Sequence, residues 1–193
     1  MLVRILTISC LCMSRILGGT IDISPQSSSV SPGAVFTLDV NVDSVSDLYA
    51  YQFDLKFDAN ILQALSETEG DFLASAGSTL FFSGSIDNTG GSVTGTGDTL
   101  EGPIPGASGS GVLAQFSFQA VAAGTTSIDI LSDILLDSTL SGISTDVEGG
   151  TVSVESAPEP SSGDLFWLGA IGVVCLSRRR WRRSVLGLSP DTR

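Results

Sequence analysis

The sequence predicts an all-β chain: a sandwich of about nine antiparallel strands of jelly-roll type, with a short hydrophobic segment at each terminus. Three observations carry that expectation. Apolar and polar residues alternate with period two through the middle of the chain, turn-forming residues punctuate the runs, and a helical period is almost absent.

The elements follow in order. Ile21–Ser24 opens the set. After Ser31-Pro32-Gly33, Phe36, Leu38, Val40 and Val42 alternate with Thr37, Asp39, Asn41 and Asp43. Tyr49, Tyr51, Phe53, Leu55 and Phe57 then alternate with Ala50, Gln52, Asp54, Lys56 and Asp58. Successive strand residues point to opposite faces, so each run has one apolar face and one mainly polar face, as an antiparallel sheet covered on one side requires. Ile61–Leu65 follows the turn at Asp58-Ala59-Asn60. Gly70–Ala76 has room for a short turn of helix. Thr79–Ser83 and Ser92–Thr96 flank the turn Asp87-Asn88-Thr89-Gly90-Gly91. Gly95–Gly111, rich in Gly, Ser and Pro, reads as a long surface loop. Val112, Ala114, Phe116, Phe118 and Ala120 form the next apolar face, Ala123-Gly124 turns the chain into Ser127–Leu131, and Thr151–Glu155 closes the sandwich.

Composition excludes several functions. The 193 residues carry 9 Lys and Arg against 21 Asp and Glu, with no histidine and a net charge of −12. Without His there is no Ser-His-Asp or Cys-His nucleophile pair and no His-ligated zinc. The negative charge opposes nucleic-acid binding, which requires a positive footprint. From Thr20 to Ser156 there are 18 acids and one base, Lys56. The basic residues gather at the ends, as Arg4 and Arg15 and as Arg178, Arg179, Arg180, Arg182, Arg183 and Arg193. The body is therefore a solvated acidic surface. Cys10, Cys12 and Cys175 lie in the terminal apolar segments, so no disulfide framework holds the body. Cys10 lacks the leading Leu of a lipoprotein anchor, since Thr7-Ile8-Ser9 precedes it.

No enzyme, metal site or cofactor is expected in the body. Asp129, Asp133 and Asp137 recur every fourth residue, but Ile128 and Ile130 flanking Asp129 favour a strand, which does not gather them on one face as a helix would. Asp39 with Asp43, and Asp54 with Asp58, sit about 13 Å apart along a strand, too far to act together on a glycosidic bond. Both tryptophans, Trp167 and Trp181, lie near the C-terminus. Tyr49 and Tyr51 share the apolar face of their strand, which favours core packing over sugar stacking. Phe81 and Phe82 are adjacent, so one of them faces outward.

Residues 1–19 read as a short export segment: Arg4, then the apolar run Ile5–Met13, in the order of a secretory signal. Residues 157–183 contain Pro158-Glu159-Pro160, the apolar run Leu165–Leu176, and the arginines 178, 179, 180, 182 and 183; residues 184–193 form a tail. Twelve residues span about 18 Å as a helix against a hydrocarbon core of about 30 Å, and the following arginines read as a cytoplasmic stop. This order resembles the PEP-CTERM sorting signal. The resemblance implies recognition by an exosortase in Gram-negative bacteria, a transient inner-membrane anchor through a transmembrane helix, and a destination at the cell surface or in the extracellular matrix.

Residues 20–156 carry a second resemblance. Val30-Ser31-Pro32-Gly33 precedes the strand Val35–Val42, Leu48–Asp58 runs into Ile61-Leu62, and Gly109-Ser110-Gly111 leads into Val112–Ala120. The pattern resembles the cohesin domain, in the superfamily of carbohydrate-binding-module-like sandwiches. It implies a non-catalytic binding module in polysaccharide-related assemblies. The partner is either a protein bearing a calcium-loaded dockerin or, as in relatives of the family, a polysaccharide.

Overall fold

The computed structural model describes residues 19–156, which form eleven strands and one short helix. They are β1 (Thr20–Ser24), β2 (Ser27–Val30), β3 (Val35–Lys56), β4 (Leu62–Glu69), α1 (Asp71–Ala74), β5 (Thr79–Phe82), β6 (Ser85–Asp87), β7 (Ser92–Leu100), β8 (Ala107–Ala120), β9 (Gly124–Asp137), β10 (Asp146–Glu148) and β11 (Gly150–Val154).

The organising element is β3. Its 22 residues would reach roughly 70 Å if straight, far more than one layer of a small sandwich can use. It bends instead. Ser44 and Asp47 take φ of +55° and +58°, and the pairing with β8 shifts between Val42 and Val45 and again between Val45 and Leu48. These steps are β-bulges, which let a strand leave one sheet and enter another. The first half of β3 lies between β1 and β8, in a layer ordered β10-β1-β3-β8-β4. Its second half lies between β7 and β9, in a layer that continues through β5 and β6 on one side and β11 and β2 on the other. Asp47 braces the corner: its carboxylate accepts from the Gly106 amide at 2.7 Å and the Ser138 hydroxyl at 2.7 Å.

The alternating faces meet between these layers. Leu38, Val40 and Val42 from the first half of β3, Tyr51, Phe53 and Leu55 from the second, and Phe116 and Phe118 from β8 are all buried. Phe53 meets Phe116 with ring centroids 6.2 Å apart, and Phe57 meets Phe118 edge-on at 5.3 Å, so aromatic rings join the two halves of the core. Each such pair adds about 0.5–1.5 kcal/mol beyond area burial. Helix α1 covers one end with Phe72 and Leu73. Gly111 makes room for it, since a Cβ there would lie 2.8 Å from the Phe72 ring.

Several expectations change. The two runs 36–42 and 49–57 are one strand, not two. Eleven strands stand where about nine were expected, because β2, β6 and β10 lack a long alternating run. The sheet is not wholly antiparallel: β1 pairs with β10, and β11 with β2, in parallel. Most of the expected loop 95–111 is strand, with β7 running on to Leu100 and β8 starting at Ala107. The expected short helix is present as α1.

The transmembrane helix, and with it the inner-membrane anchor and the localisation built on it, is corrected. Among the described residues no helix is long and apolar enough to cross a membrane. The run Leu165–Leu176, on which that expectation rested, lies outside the described residues, as do Pro158, Glu159, Pro160, the arginine cluster and all of the export segment 1–19 except Gly19.

Candidate binding face

The outer face of the second layer is built from alternate residues of β5, β7, β3 and β9. Register places Leu80, Thr99, Ala50 and Leu136 in one row across four strands, and Phe82, Gly97, Gln52 and Ile134 in the next. Their neighbours in sequence, Phe81, Asp98, Tyr51 and Leu135, turn inward, as the two-residue period requires. The result is an exposed apolar patch on an acidic body: Leu80 is 48% exposed, Phe82 53%, Ile134 52% and Leu131 47%. Contiguous apolar patches of this kind mark sites of association.

A bulge on β9 enlarges the patch. Leu131 pairs with Asp54 and Ile134 with Gln52, so two residues of β9, Ser132 and Asp133, oppose the single Phe53 of β3, and Ser132 takes φ of +53°. In a regular strand Leu131 and Ile134 would point to opposite faces; the extra residue turns both outward. At the centre Gly97 keeps the surface low. A Cβ there would lie 2.9 Å from the Tyr51 carbonyl oxygen. Phe82, Gln52, Ile134 and Leu136 border a depression of about 600 Å³ over it.

Polar residues adjoin the patch. Asp54 accepts from the Gly95 amide at 2.7 Å. Lys56, the one cation of the described body, donates to the Gly90 carbonyl. Asp129, opposite Lys56 in register, accepts from the Ser127 hydroxyl at 2.9 Å. Lys56, Gly90, Ser127 and Asp129 line a second depression of about 530 Å³ with Asp58, Asn60 and Thr126. The face thus joins an apolar centre to a polar flank, the anatomy of a protein interface.

The outer face of the first layer differs. Gln115 donates to Asp39 at 2.8 Å, Asn41 donates to Asp22 at 3.2 Å, and Ser110 donates to Asp43. These polar groups satisfy one another, and the exposed Val35 and Leu65 of this layer lie on β3 and β4, with β8 between them.

The structure separates the acids singled out in the sequence. Asp39 and Asp43 lie on the first layer, Asp54 and Asp58 on or beside the second. Asp129, Asp133 and Asp137 all lie on β9 and serve local turns and pairs: Asp133 accepts from Thr145, and Asp137 from Thr139 and Ser141. Hydrogen bonds from Thr139 and Ser141 hold the Asp137 carboxyl below its usual range. Among the described residues no three His, Cys, Asp or Glu side chains gather as a metal site. Tyr51 is buried and its hydroxyl donates to the Leu113 carbonyl, so it is core, as its face implied. Phe82 is the outward member of the Phe81-Phe82 pair.

Two features escaped the sequence. Asp98 is 3% exposed on β7 and points into the sandwich, its carboxyl pushed up to about 7 by burial and the neighbouring Glu69. It lay in the stretch read as a loop, although the alternation Thr96, Asp98, Leu100 against Gly97 and Thr99 was a signal for it. Leu131 and Ile134 share a face only because of the bulge.

The folded body resembles solved cohesins. A non-cellulosomal cohesin from the hyperthermophilic archaeon Archaeoglobus fulgidus superposes with a TM-score of 0.60 at 16% identity, covering 72% of this chain and 92% of that one. The sixth cohesin of scaffoldin B from Acetivibrio cellulolyticus, solved in complex with a mutant dockerin, gives 0.59 at 19%, covering 72% and 99%. A cohesin in a type I cohesin–dockerin complex from Clostridium thermocellum gives 0.59 at 11%, covering 73% and 96%. At such identities the likeness is one of fold. No curated protein matches the chain. The family model described as the cohesin domain matches residues 21–154, and the chain belongs to that family.

Proposed function

We propose that this cohesin domain is a non-catalytic docking module that binds a dockerin-bearing protein through the outer face of its second layer. The observation that carries the reading is the exposed patch of Leu80, Phe82, Leu131 and Ile134 with Asp54, Lys56 and Asp129 on its flank. Apolar anchors supply affinity at the centre of a protein interface, and the polar flank sets register. The solved relatives in complex with dockerins support the choice of partner. A glycan platform would want several exposed aromatic rings, and on this face only Phe82 is a ring with half its surface free.

The test is titration of the full chain with a panel of calcium-loaded dockerins and, separately, with soluble polysaccharides. Saturable one-to-one binding of a dockerin that EDTA abolishes, and that Phe82→Asp and Ile134→Asp weaken at least tenfold, supports the reading. Retention on polysaccharide alone, or dockerin binding indifferent to both substitutions, overturns it.

We further infer, from residue order alone, that Pro158-Glu159-Pro160 is the recognition element of an exosortase-type processing signal, with Arg178, Arg179, Arg180, Arg182 and Arg183 as its basic end. Replacing Pro158 and Glu159 by Ala should leave the tail uncleaved, read as an unprocessed mass. Processing that continues unchanged would sink this inference.

A further inference from the structure

The second layer ends at β2, which pairs with β11 and with no other strand among the described residues. The pairing is parallel. The Thr151 amide donates to the Gln26 carbonyl and the Glu155 amide to the Val30 carbonyl, both at 2.9 Å. Along a strand the backbone groups of alternate residues turn to the same side. Ser28 and Val30 therefore spend theirs on β11, and the N–H and C=O groups of Ser27 and Ser29 point away from it. Both serines are exposed, and among the described residues no backbone hydrogen bond reaches those four groups. Such a row of unpaired donors and acceptors is a template for another strand.

The other sheet edges are guarded. Across the seam between the layers, β4 faces β5 and β6, and side chains close the gap. Asn88 bonds both backbone groups of Ala64, the Gly84 amide donates to Glu67, and the Thr79 hydroxyl donates to Glu69. Strand β10, the remaining edge, carries Asp146 and Glu148 in three residues. Strand β2 has neither device: its sequence is Ser-Ser-Ser-Val, without charge, proline or bulge. The floor beside it is equally low. Register sets Ser27, Thr151 and Ser127 in one outward row and Ser29, Ser153 and Thr125 in the next, so no bulky side chain overhangs the edge.

Charge selects the occupant. At the two ends of β2, Glu148 accepts from the Gln26 side-chain amide at 3.4 Å and Glu155 accepts from the Ser29 hydroxyl at 2.9 Å. The one base of the body, Lys56, is engaged with Gly90. A second copy of this chain would bring an equal excess of acid to the edge, whereas a cationic strand meets two carboxylates. We propose that the free edge of β2 takes up an extended, basic segment of a partner protein as an added strand, bonded to Ser27 and Ser29 and flanked by Glu148 and Glu155. In this mode main-chain bonds supply affinity and alternate side chains supply selectivity. Strand β11 meets β9 at residues 124–128, while the docking face uses residues 131–136 of β9. The edge is thus separate from that face, and the proposal does not rest on the docking reading.

Amide exchange of the full chain, followed residue by residue by NMR, tests it with a capped heptapeptide of alternating Lys and Val. At saturation the Ser27 and Ser29 amides should exchange at least about tenfold more slowly, while Ser28 and Val30, already bonded to β11, change little. The same peptide with Glu for Lys should bind at least about tenfold more weakly, and added salt should weaken the Lys peptide. The Lys peptide N-methylated at every residue keeps its charge and loses its donors, so it should not protect either serine. Ser29→Pro removes an outward N–H that the fold does not use, a position where edge strands tolerate proline; it should keep the wild-type melt and abolish protection at Ser27. Unprotected Ser27 and Ser29 at about 1 mM peptide, equal protection by the Glu peptide, or binding that survives N-methylation would overturn the proposal. Protection that grows with chain concentration in the absence of peptide would assign the edge to a second copy and overturn it as well. Dockerin binding is scored separately, so loss of the docking reading would leave this edge standing, and the reverse.

Discussion

Phe116→Ala and Phe82→Ala remove the same ring from two alternating strands and should differ sharply in cost. Phe116 is 1% exposed and its ring lies 6.2 Å from Phe53 and 6.5 Å from Phe118. It joins β8 of the first layer to the second half of β3. Truncation there removes the buried ring and leaves a cavity flanked by two rigid neighbours, a cost of about 3–5 kcal/mol. Phe82 is 53% exposed, and its truncation should cost under about 1 kcal/mol, since half the ring is already in water. For a folded body of about 140 residues the unfolding entropy is about 0.3 kcal/mol per degree, so Phe116→Ala should lower Tm by roughly 10–17 °C and Phe82→Ala by less than about 4 °C. Differential scanning calorimetry with matched urea melts provides the assay. Equal losses for the two variants, or a loss under about 1 kcal/mol for Phe116→Ala, would refute the account in which β3 folds one layer onto the other through these rings.

Two further predictions concern charge and backbone. Asp98 is raised from its ordinary value of 3.8 to about 7 in the folded chain, so its contribution to stability is full below about 3.8 and is lost as pH rises through 7. Asp47, Asp87 and Asp137 are held low by hydrogen bonds to side-chain hydroxyls and backbone amides, and their contribution is lost as pH falls through their lowered values. Urea midpoints should therefore peak in the mildly acidic range and decline toward pH 8, and Asp98→Asn should remove the decline on the alkaline side. Gly70→Ala should destabilise by about 1–3 kcal/mol, because a Cβ would lie 2.1 Å from the Val112 carbonyl oxygen, a backbone atom that cannot rotate away; a melt unchanged from wild type would contradict that packing.

The alternating faces were legible because each buried run obeys a period of two over several residues. Phe36–Val42, Tyr49–Phe57 and Ala114–Ala120 bury the predicted set, with Phe36 and Tyr49 only partly covered at the run ends; a register shift beside Ala114 leaves Val112 half-buried opposite Asn41 and buries Leu113, which the alternation placed on the polar face. The continuity of β3 was not legible. Asp43-Ser44-Val45-Ser46-Asp47 has the composition of a turn, and only the two left-handed residues show that Val45 and Leu48 remain inward across a double bulge. The stretch 95–111 misled for a related reason. Glycines normally mark loops, yet Gly97 sits in β7 where it meets the Tyr51 backbone closely, and Gly109 and Gly111 lie in β8. Half of the binding face was visible in the pair Phe81-Phe82. The other half, Leu131 with Ile134, depends on a bulge at Ser132 that leaves no compositional mark.

The most direct test of the account is a hydrogen-exchange footprint of a bound, calcium-loaded dockerin on the full chain. The account predicts new protection on β5, β7, residues 50–56 of β3 and residues 131–136 of β9, with none on the first layer's outer face around Asp39 and Gln115. Protection centred on Asp39 and Gln115, with Leu80, Phe82 and Ile134 left unchanged, would contradict it.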